Sequence, residues 1–180
     1  MLESHNLLGE VQNGFRKERQ MADNNFILDS VLMKAKFLKQ NVNLCYVDIS
    51  KAYDSVNREI LWKKLTDKGF GGEFLGCLKA LYTGDSLVSV VNGIFTRPVY
   101  PSTGLRQGCS LSPLLFALYI SDLGSDITRS SKGFQLGGII ASGLLFADDI
   151  VLISRSFEGL VRLISLVQRH CDELKLLKEE

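Results

Sequence analysis

The chain has 180 residues, 46% of them hydrophobic, with 21 basic and 20 acidic side chains and a formal net charge of +1. That length and apolar content suit one domain around one core. The charge balance gives no electrostatic case for a nucleic-acid or membrane surface, so any nucleic-acid role has to come from individual sites.

Cys45, Cys77, Cys109 and Cys171 lie far apart with no CxxC pair, which argues against zinc ligation and predicts reduced thiols. No charged-then-apolar leader opens the sequence, and no apolar run is long enough for a bilayer. The expectation is a soluble intracellular protein, with no membrane partner and no signal for its oligomeric state.

In chain order, residues 22–39 (ADNNFILDSVLMKAKFLK) place Phe26, Ile27, Val31, Met33, Ala35 and Leu38 at mostly helical spacing, with Asp23 as a candidate cap. NLCYVDIS predicts a strand with Leu44, Tyr46 and Asp48 on one face and Cys45, Val47 and Ile49 on the other. NREILWKKLTD, residues 57–67, predicts a helix ended by Gly69, and a second helix is expected over 72–82. SLVSVVNGIFTRPVY alternates about Asn92-Gly93, a two-residue hairpin signal. LSPLLFALYISDL, residues 111–123, predicts an apolar helix with Pro113 in its first turn. GLLFADDIVLIS reads as two short strands joined at Asp148-Asp149. From Ser156 a long helix is expected, with Leu160, Ile164, Val167, Cys171 and Leu174 recurring every three or four residues. Strands and helices mix without regular alternation. That predicts an α+β fold, an antiparallel sheet with helices packed on one face.

The two carboxylates inside GLLFADDIVLIS need an explanation, because an unpaired buried charge costs several kcal/mol or neutralises itself. A turn facing water, or a nearby positive charge, would supply one. Asp48 ends the other apolar strand. Placed side by side, the two strands would bring Asp48 and Asp148 to one sheet edge, where like charges repel unless a divalent cation bridges them. Hard carboxylate oxygens suit Mg²⁺. Two such ions roughly 3.5–4 Å apart would clamp the attacking and leaving oxygens of a phosphoryl displacement. Taken singly, an Asp-Asp pair is more often a turn, and an Asp at a strand end is more often a cap.

Order and company change that weighting. YVDISKAYDSV at 46–56, GLRQGCSLSPLLFALYISDL at 104–123 and FADD at 146–149 occur in this order. Together they resemble the reverse transcriptase domain of LINE-type (non-LTR) retrotransposons, over roughly residues 10–160, with RQGCSLSP the most specific block. The resemblance implies a right-hand polymerase palm, with motif A at 46–56, motif B at 104–116 and motif C at 146–149. It implies RNA-directed DNA polymerase chemistry: transfer of deoxynucleotides onto a primer 3′-hydroxyl, on an RNA template with a DNA primer, assisted by two Mg²⁺ or Mn²⁺ ions. It also implies a nuclear location.

Carried over residue by residue, the resemblance makes Asp48, Asp148 and Asp149 the catalytic carboxylates and metal ligands, with the carbonyl of Ile49 as a further metal oxygen. Ser50 and the amides beside it would meet the incoming triphosphate. Tyr53 stands at the aromatic position that excludes a ribose 2′-hydroxyl; otherwise it is a core tyrosine. Gly104 and Gly108 permit close backbone approach. Arg106 and Gln107 can pair with template, base or phosphate, although an isolated Arg-Gln would read as a solvated loop. Pro113 starts the helix expected to support the template strand. Asp54 and Ser55 are candidate caps for the helix that follows. In GFRKERQMADN, Arg16, Lys17 and Arg19 are candidate phosphate contacts, and a solvated face explains them equally.

The chain departs from the family pattern at both ends. The expectation is a single partial domain over 1–180, a palm with a remnant of fingers, whose fingers motifs would lie upstream and whose thumb is missing. ELKLLKEE resembles the start of a lysine-bearing loop and then stops, with Lys178 as a shifted counterpart. Two functions therefore stand: a polymerase palm, or an inactive retrotransposon-derived remnant that serves as a binding module, with its tail at 156–180 either an interface or, more in keeping with its pattern, packed on its own sheet. A palm-type nucleotide cyclase is a distant third, because it leaves RQGCSLSP unexplained.

Overall fold

A three-stranded antiparallel sheet of order β1-β7-β6 positions everything else, built from β1 (Asn43–Asp48), β6 (Gly143–Phe146) and β7 (Asp149–Ser154). The structure, a computed structural model, describes residues 7–130 and 132–176. Lys178 and the end of the tail lie outside the described residues. Strand β7 is central because Ile150, Val151, Leu152 and Ile153 form an unbroken apolar run that needs cover on both faces. Its partners run antiparallel in continuous register, from Asn43↔Ser154 to Asp48↔Asp149 on one side and from Gly143↔Leu152 to Phe146↔Asp149 on the other.

The two faces of this sheet bury different things. Ile150 and Leu152 of β7, Leu145 of β6, and Cys45 and Val47 of β1 join the main core. That core also takes in α2 (Arg58–Asp67), α3 (Gly72–Tyr82), α4 (Ser112–Tyr119), α5 (Ser121–Arg129) and α6 (Phe157–Glu173). The α+β architecture is as expected, with these five helices in the layer on one face. Helix α1 (Met21–Leu38) is the exception. Its Val31 and Ala35 pack with Leu144, Ile153, Leu44 and Val151 on the opposite face, together with the hairpin of β4 (Phe134–Leu136) and β5 (Ile139–Ala141).

Several local expectations hold. The second and third helices begin and end where predicted, and Asn92 and Gly93 take positive φ angles in the turn between β2 (Val90–Val91) and β3 (Ile94–Phe95). Others are corrected. Phe26 and Met33 are each 73% exposed, because the face of α1 that meets the sheet runs through Asn24, Leu28, Val31 and Ala35. Gln20 is the N-cap of α1; Asp23 accepts the Gln20 backbone N–H from the third helical position, completing a capping box. The single helix expected over 111–123 is two, because Ile120, at φ −94° and ψ 3°, breaks the helical path between Tyr119 and Ser121. In α6 the buried stripe runs through Leu163 rather than Ile164. The Gly137-Gly138 hairpin of β4 and β5 has no counterpart among the expected elements.

Among the described residues no helix is long and apolar enough to cross a membrane. Leu152, fully buried in the main core, should lose about 2–5 kcal/mol of stability on change to alanine. Phe37→Ala, at a position 85% exposed, should stay within about 0.5 kcal/mol. Urea unfolding of the two variants measures the contrast.

Candidate active site

Asp48 is the last residue of β1 and Asp149 the first of β7, and the ladder sets them directly opposite each other. Directly opposed residues of an antiparallel pair share a face, so both carboxylates belong to the α1 side, and both are exposed. The cross-strand partner of Asp48 is thus Asp149. Asp148 occupies the two-residue turn, Ala147-Asp148, that joins β6 to β7. Burial raises the Asp148 carboxyl above its ordinary value; its own backbone amide opposes the rise, and the charges of Asp149 and Asp48 add to it. Three carboxylates therefore sense one another at one end of the sheet. A groove of about 320 Å³ beside them is bounded by Met21, Asn25 and Leu28 of α1 and by Tyr46, Asp48 and Asp149.

This donor set is chemically suited to a hard divalent cation: all oxygens, crowded, and mutually repulsive without a counter-charge. Among the described residues no three His, Cys, Asp or Glu side chains are gathered into a metal-binding cluster. The backbone register supplies the juxtaposition of Asp48 and Asp149. Ile49 lies next in the chain with its side chain buried in the main core, and Ser50 opens the turn that follows.

Motif B is fastened to motif A by backbone. The Gly104 N–H donates to the Val56 carbonyl at 2.8 Å and the Leu105 N–H to the Tyr53 carbonyl at 2.8 Å. Gly104 has φ +86°, and a Cβ there would stand 3.0 Å from the Asp54 carbonyl oxygen. Gln107 Nε2 donates to Asp54 Oδ1 at 3.0 Å. Asp54 and Ser55 do not cap the next helix. Asp54 holds Gln107, the Ser55 hydroxyl donates to the Ala52 carbonyl, and Asn57 caps α2 by accepting from the Ile60 N–H. Tyr53 is half-buried, its ring stacked 5.2 Å from that of Phe116 on α4. Burial, and then the charge of Asp148, raise its hydroxyl pKa, so the phenol end lies within the field of the carboxylates. Pro113 sits in the first turn of that same helix, and Gly108, at φ +79°, is exposed.

Arg106 points away from the carboxylates. Its guanidinium pairs with Asp85, donates to the Leu81 carbonyl and lies 5.6 Å over the Tyr82 ring. Arg58, absent from the sequence reading, approaches the same ring at 4.8 Å and donates to the carbonyls of Gly104 and Pro101. Arg58, Asp85 and Arg106 line a larger cleft of about 890 Å³ that contains none of Asp48, Asp148 and Asp149.

The basic stretch before α1 is divided. Arg16 is buried and donates to the carbonyls of Gly9 and Gln12, so it braces the backbone rather than facing solvent. Arg19 pairs with Glu10 at 2.6 Å and donates to Asn13 Oδ1. Lys17 is exposed and lies 3.5 Å from Glu18. Gln12 also escaped the sequence reading. Buried at 2% exposure, it reaches the backbone of Ala147 in the carboxylate turn; no local periodicity marks it.

The sheet, with helices packed against it, is an α+β fold of the polymerase-palm kind. Residues 1–178 match the family described as reverse transcriptase (RNA-dependent DNA polymerase), and the chain belongs to that family. It is 28% identical over 169 residues to the retrovirus-related Pol polyprotein from type-1 retrotransposable element R2 of Nasonia vitripennis, covering 94% of the chain and 16% of that protein. Identity is 30% over 149 residues to the retrovirus-related Pol polyprotein from type-2 retrotransposable element R2DM of Drosophila melanogaster, covering 83% of the chain and 14% of that protein.

Among solved structures, telomerase from Candida albicans, in complex with the TWJ fragment of telomeric RNA, matches with a TM-score of 0.65 at 12% identity, over 97% of this chain and 31% of that one. Telomerase from Candida tropicalis in complex with the TWJ fragment gives 0.66 at 11% identity, over 92% and 29%. At such identities the likeness is one of fold.

The raised Asp148 pKa has a sign. The folded state holds this proton more tightly than the unfolded chain, so ionising Asp148 costs stability above its folded pKa. The cost is relieved as pH falls through that value toward the ordinary carboxylate range. In chelator-containing buffer, Asp148→Asn should therefore melt above the parent at pH 7, with the gap closing on acidification. Equal melting temperatures at neutral pH would show that the carboxylate sits there without strain.

Proposed function

We propose that this chain forms the palm of an RNA-directed DNA polymerase, transferring deoxynucleotides onto a primer 3′-hydroxyl. One observation carries the reading: in a chain of the reverse transcriptase family, the ladder sets Asp48 opposite Asp149 with Asp148 in the adjoining turn. Asp48, Asp148 and Asp149, with the Ile49 carbonyl, are the groups that would hold Mg²⁺ or Mn²⁺. When bound, two such ions supply charge neutralisation for the attacking and leaving oxygens of phosphoryl transfer. An RNA template, a DNA primer and deoxynucleoside triphosphates are the partners this chemistry requires. The telomerases that share the fold are described in complex with RNA. A nuclear site of action accompanies the proposal.

The chain's own residues divide the remaining work. Tyr53, fixed by the Phe116 ring, presents its edge near Asp148 as the floor of a deoxyribose pocket. Ser50, in the turn after β1, faces the triphosphate. Gln107 and Gly108 present the motif B loop to the base, Gln107 held ready by Asp54. Arg106 must exchange Asp85 for a phosphate to take part, and that exchange replaces one ion pair by another. Lys17, exposed beside Glu18, is the basic side chain of its stretch best placed for a backbone phosphate.

Two measurements test the reading. Millimolar Mg²⁺ should raise the melting temperature by mass action, and Asp148→Asn should remove most of the gain. Primer extension on an RNA template should be assayed with the chain alone and in place of the matching segment of an R2 polyprotein. Asp48→Asn should abolish extension, and Tyr53→Val should raise ribonucleotide use relative to deoxyribonucleotide use. A Tyr53→Val variant that is active with unchanged sugar preference refutes the sugar-gate role. A metal-insensitive, inactive parent in both settings would instead favour the binding module.

A further inference from the structure

The turn that carries Asp148 is strained and is held from outside. Ala147 occupies the first central position of the two-residue turn between β6 and β7 with φ +57°. A left-handed φ at that position normally falls to glycine. Gln12, 135 positions away in sequence, grips this residue at both ends. Its Oε1 accepts the Ala147 N–H at 3.0 Å and the Gly14 N–H at 2.8 Å, and its Nε2 donates to the Ala147 carbonyl at 3.4 Å.

The segment bearing Gln12 is itself fixed on the outer edge of β6. The Leu145 N–H donates to the Val11 carbonyl at 2.8 Å, and the Asn13 N–H donates to the Leu145 carbonyl at 2.9 Å. Gly14 passes so close that a Cβ there would lie 2.5 Å from the Ala147 nitrogen. A buried carboxamide that reads both backbone groups of one strained residue does more than fill space, because either group left unpaired would be costly.

We propose that Gln12 is a positioning residue, locking the Ala147-Asp148 turn so that Asp148 and Asp149 are aimed at Asp48. Its bearing on catalysis rests on the polymerase reading above; the lock itself does not. In metal sites, the groups that orient ligands commonly carry about 10–100-fold in metal affinity.

The test uses the ¹⁵N-labelled chain, with amide hydrogen exchange read by NMR and Mn²⁺ binding read by electron paramagnetic resonance. In the unmutated chain the Ala147 amide should exchange as slowly as that of Leu152 at the strand centre; rapid exchange overturns the lock without any variant. Gln12→Ala should speed exchange at Ala147 by about an order of magnitude or more, while Leu152 stays protected. It should also weaken Mn²⁺ by about 10–100-fold.

Asn24→Ala is the comparison. It removes a buried donor to the Leu145 carbonyl and the acceptor of the Asn13 side-chain amide, but no contact with Gln12 or Ala147, so it should leave both readouts near the parent. If Asn24→Ala loosens Ala147 as much as Gln12→Ala does, the role is general packing and the proposal fails. A parent that binds no Mn²⁺ through Asp148 would sink the polymerase reading, with exchange still deciding the lock.

Discussion

The pairing of β1 with β7 is the constraint on which the site depends. It is set by apolar burial and not by the carboxylates, which oppose it. Ile150 and Leu152 must face the main core while Val151 and Ile153 face α1. A slip of one residue would exchange those faces and take Asp149 away from Asp48. Hydrophobic packing along β7 thus offsets a local repulsion at its end; burial first, and then the charges of Asp149 and Asp48, raise the Asp148 pKa. Placing charge where it is unfavourable in the free protein is what the proposed cation site requires.

The second linkage joins motif B to motif A, and it is mostly backbone. Two main-chain hydrogen bonds tie Gly104 and Leu105 to the turn after β1, and Gly104 is close enough to Asp54 that a larger residue would force them apart. The Tyr53–Phe116 stack then couples that turn to α4. A movement of the motif B loop would therefore reach Tyr53 directly. Gln107 belongs to one mechanical unit with Tyr53 and its neighbour Asp48, although motif B lies about fifty residues further along the chain.

The near-zero net charge also acquires a structural reading. Arg16 is spent on backbone carbonyls, Arg19 on Glu10, and Arg58 and Arg106 converge on Asp85 and the Tyr82 ring. These arginines hold loops to helices through directional forks that lysine would not reproduce. The arginines most suggestive of phosphate binding in the sequence are each paired with other groups of the chain. A surface that grips nucleic acid would then draw on exposed lysines, or on arginines that change partners.

Much of the fold was legible in local patterns, because those patterns have local causes. Alternation about Asn92-Gly93 gives a hairpin, Gly69 ends α2, and Pro113 opens α4. The carboxylates were legible too, since two charges inside GLLFADDIVLIS have few physical excuses. Tertiary structure alone decided the rest. Whether Asp148 or Asp149 faces Asp48 depends on where a turn falls, and that was settled by a strained Ala147 held through Gln12. The side of α1 that meets the sheet follows from which of its apolar residues find a partner, and Phe26 and Met33 do not. The pairing of Arg106 with Asp85, contributed by the segment after α3, is likewise unmarked in the local sequence. In each case the deciding contact joins residues far apart in sequence, and such pairings leave no periodicity for a local reading to detect.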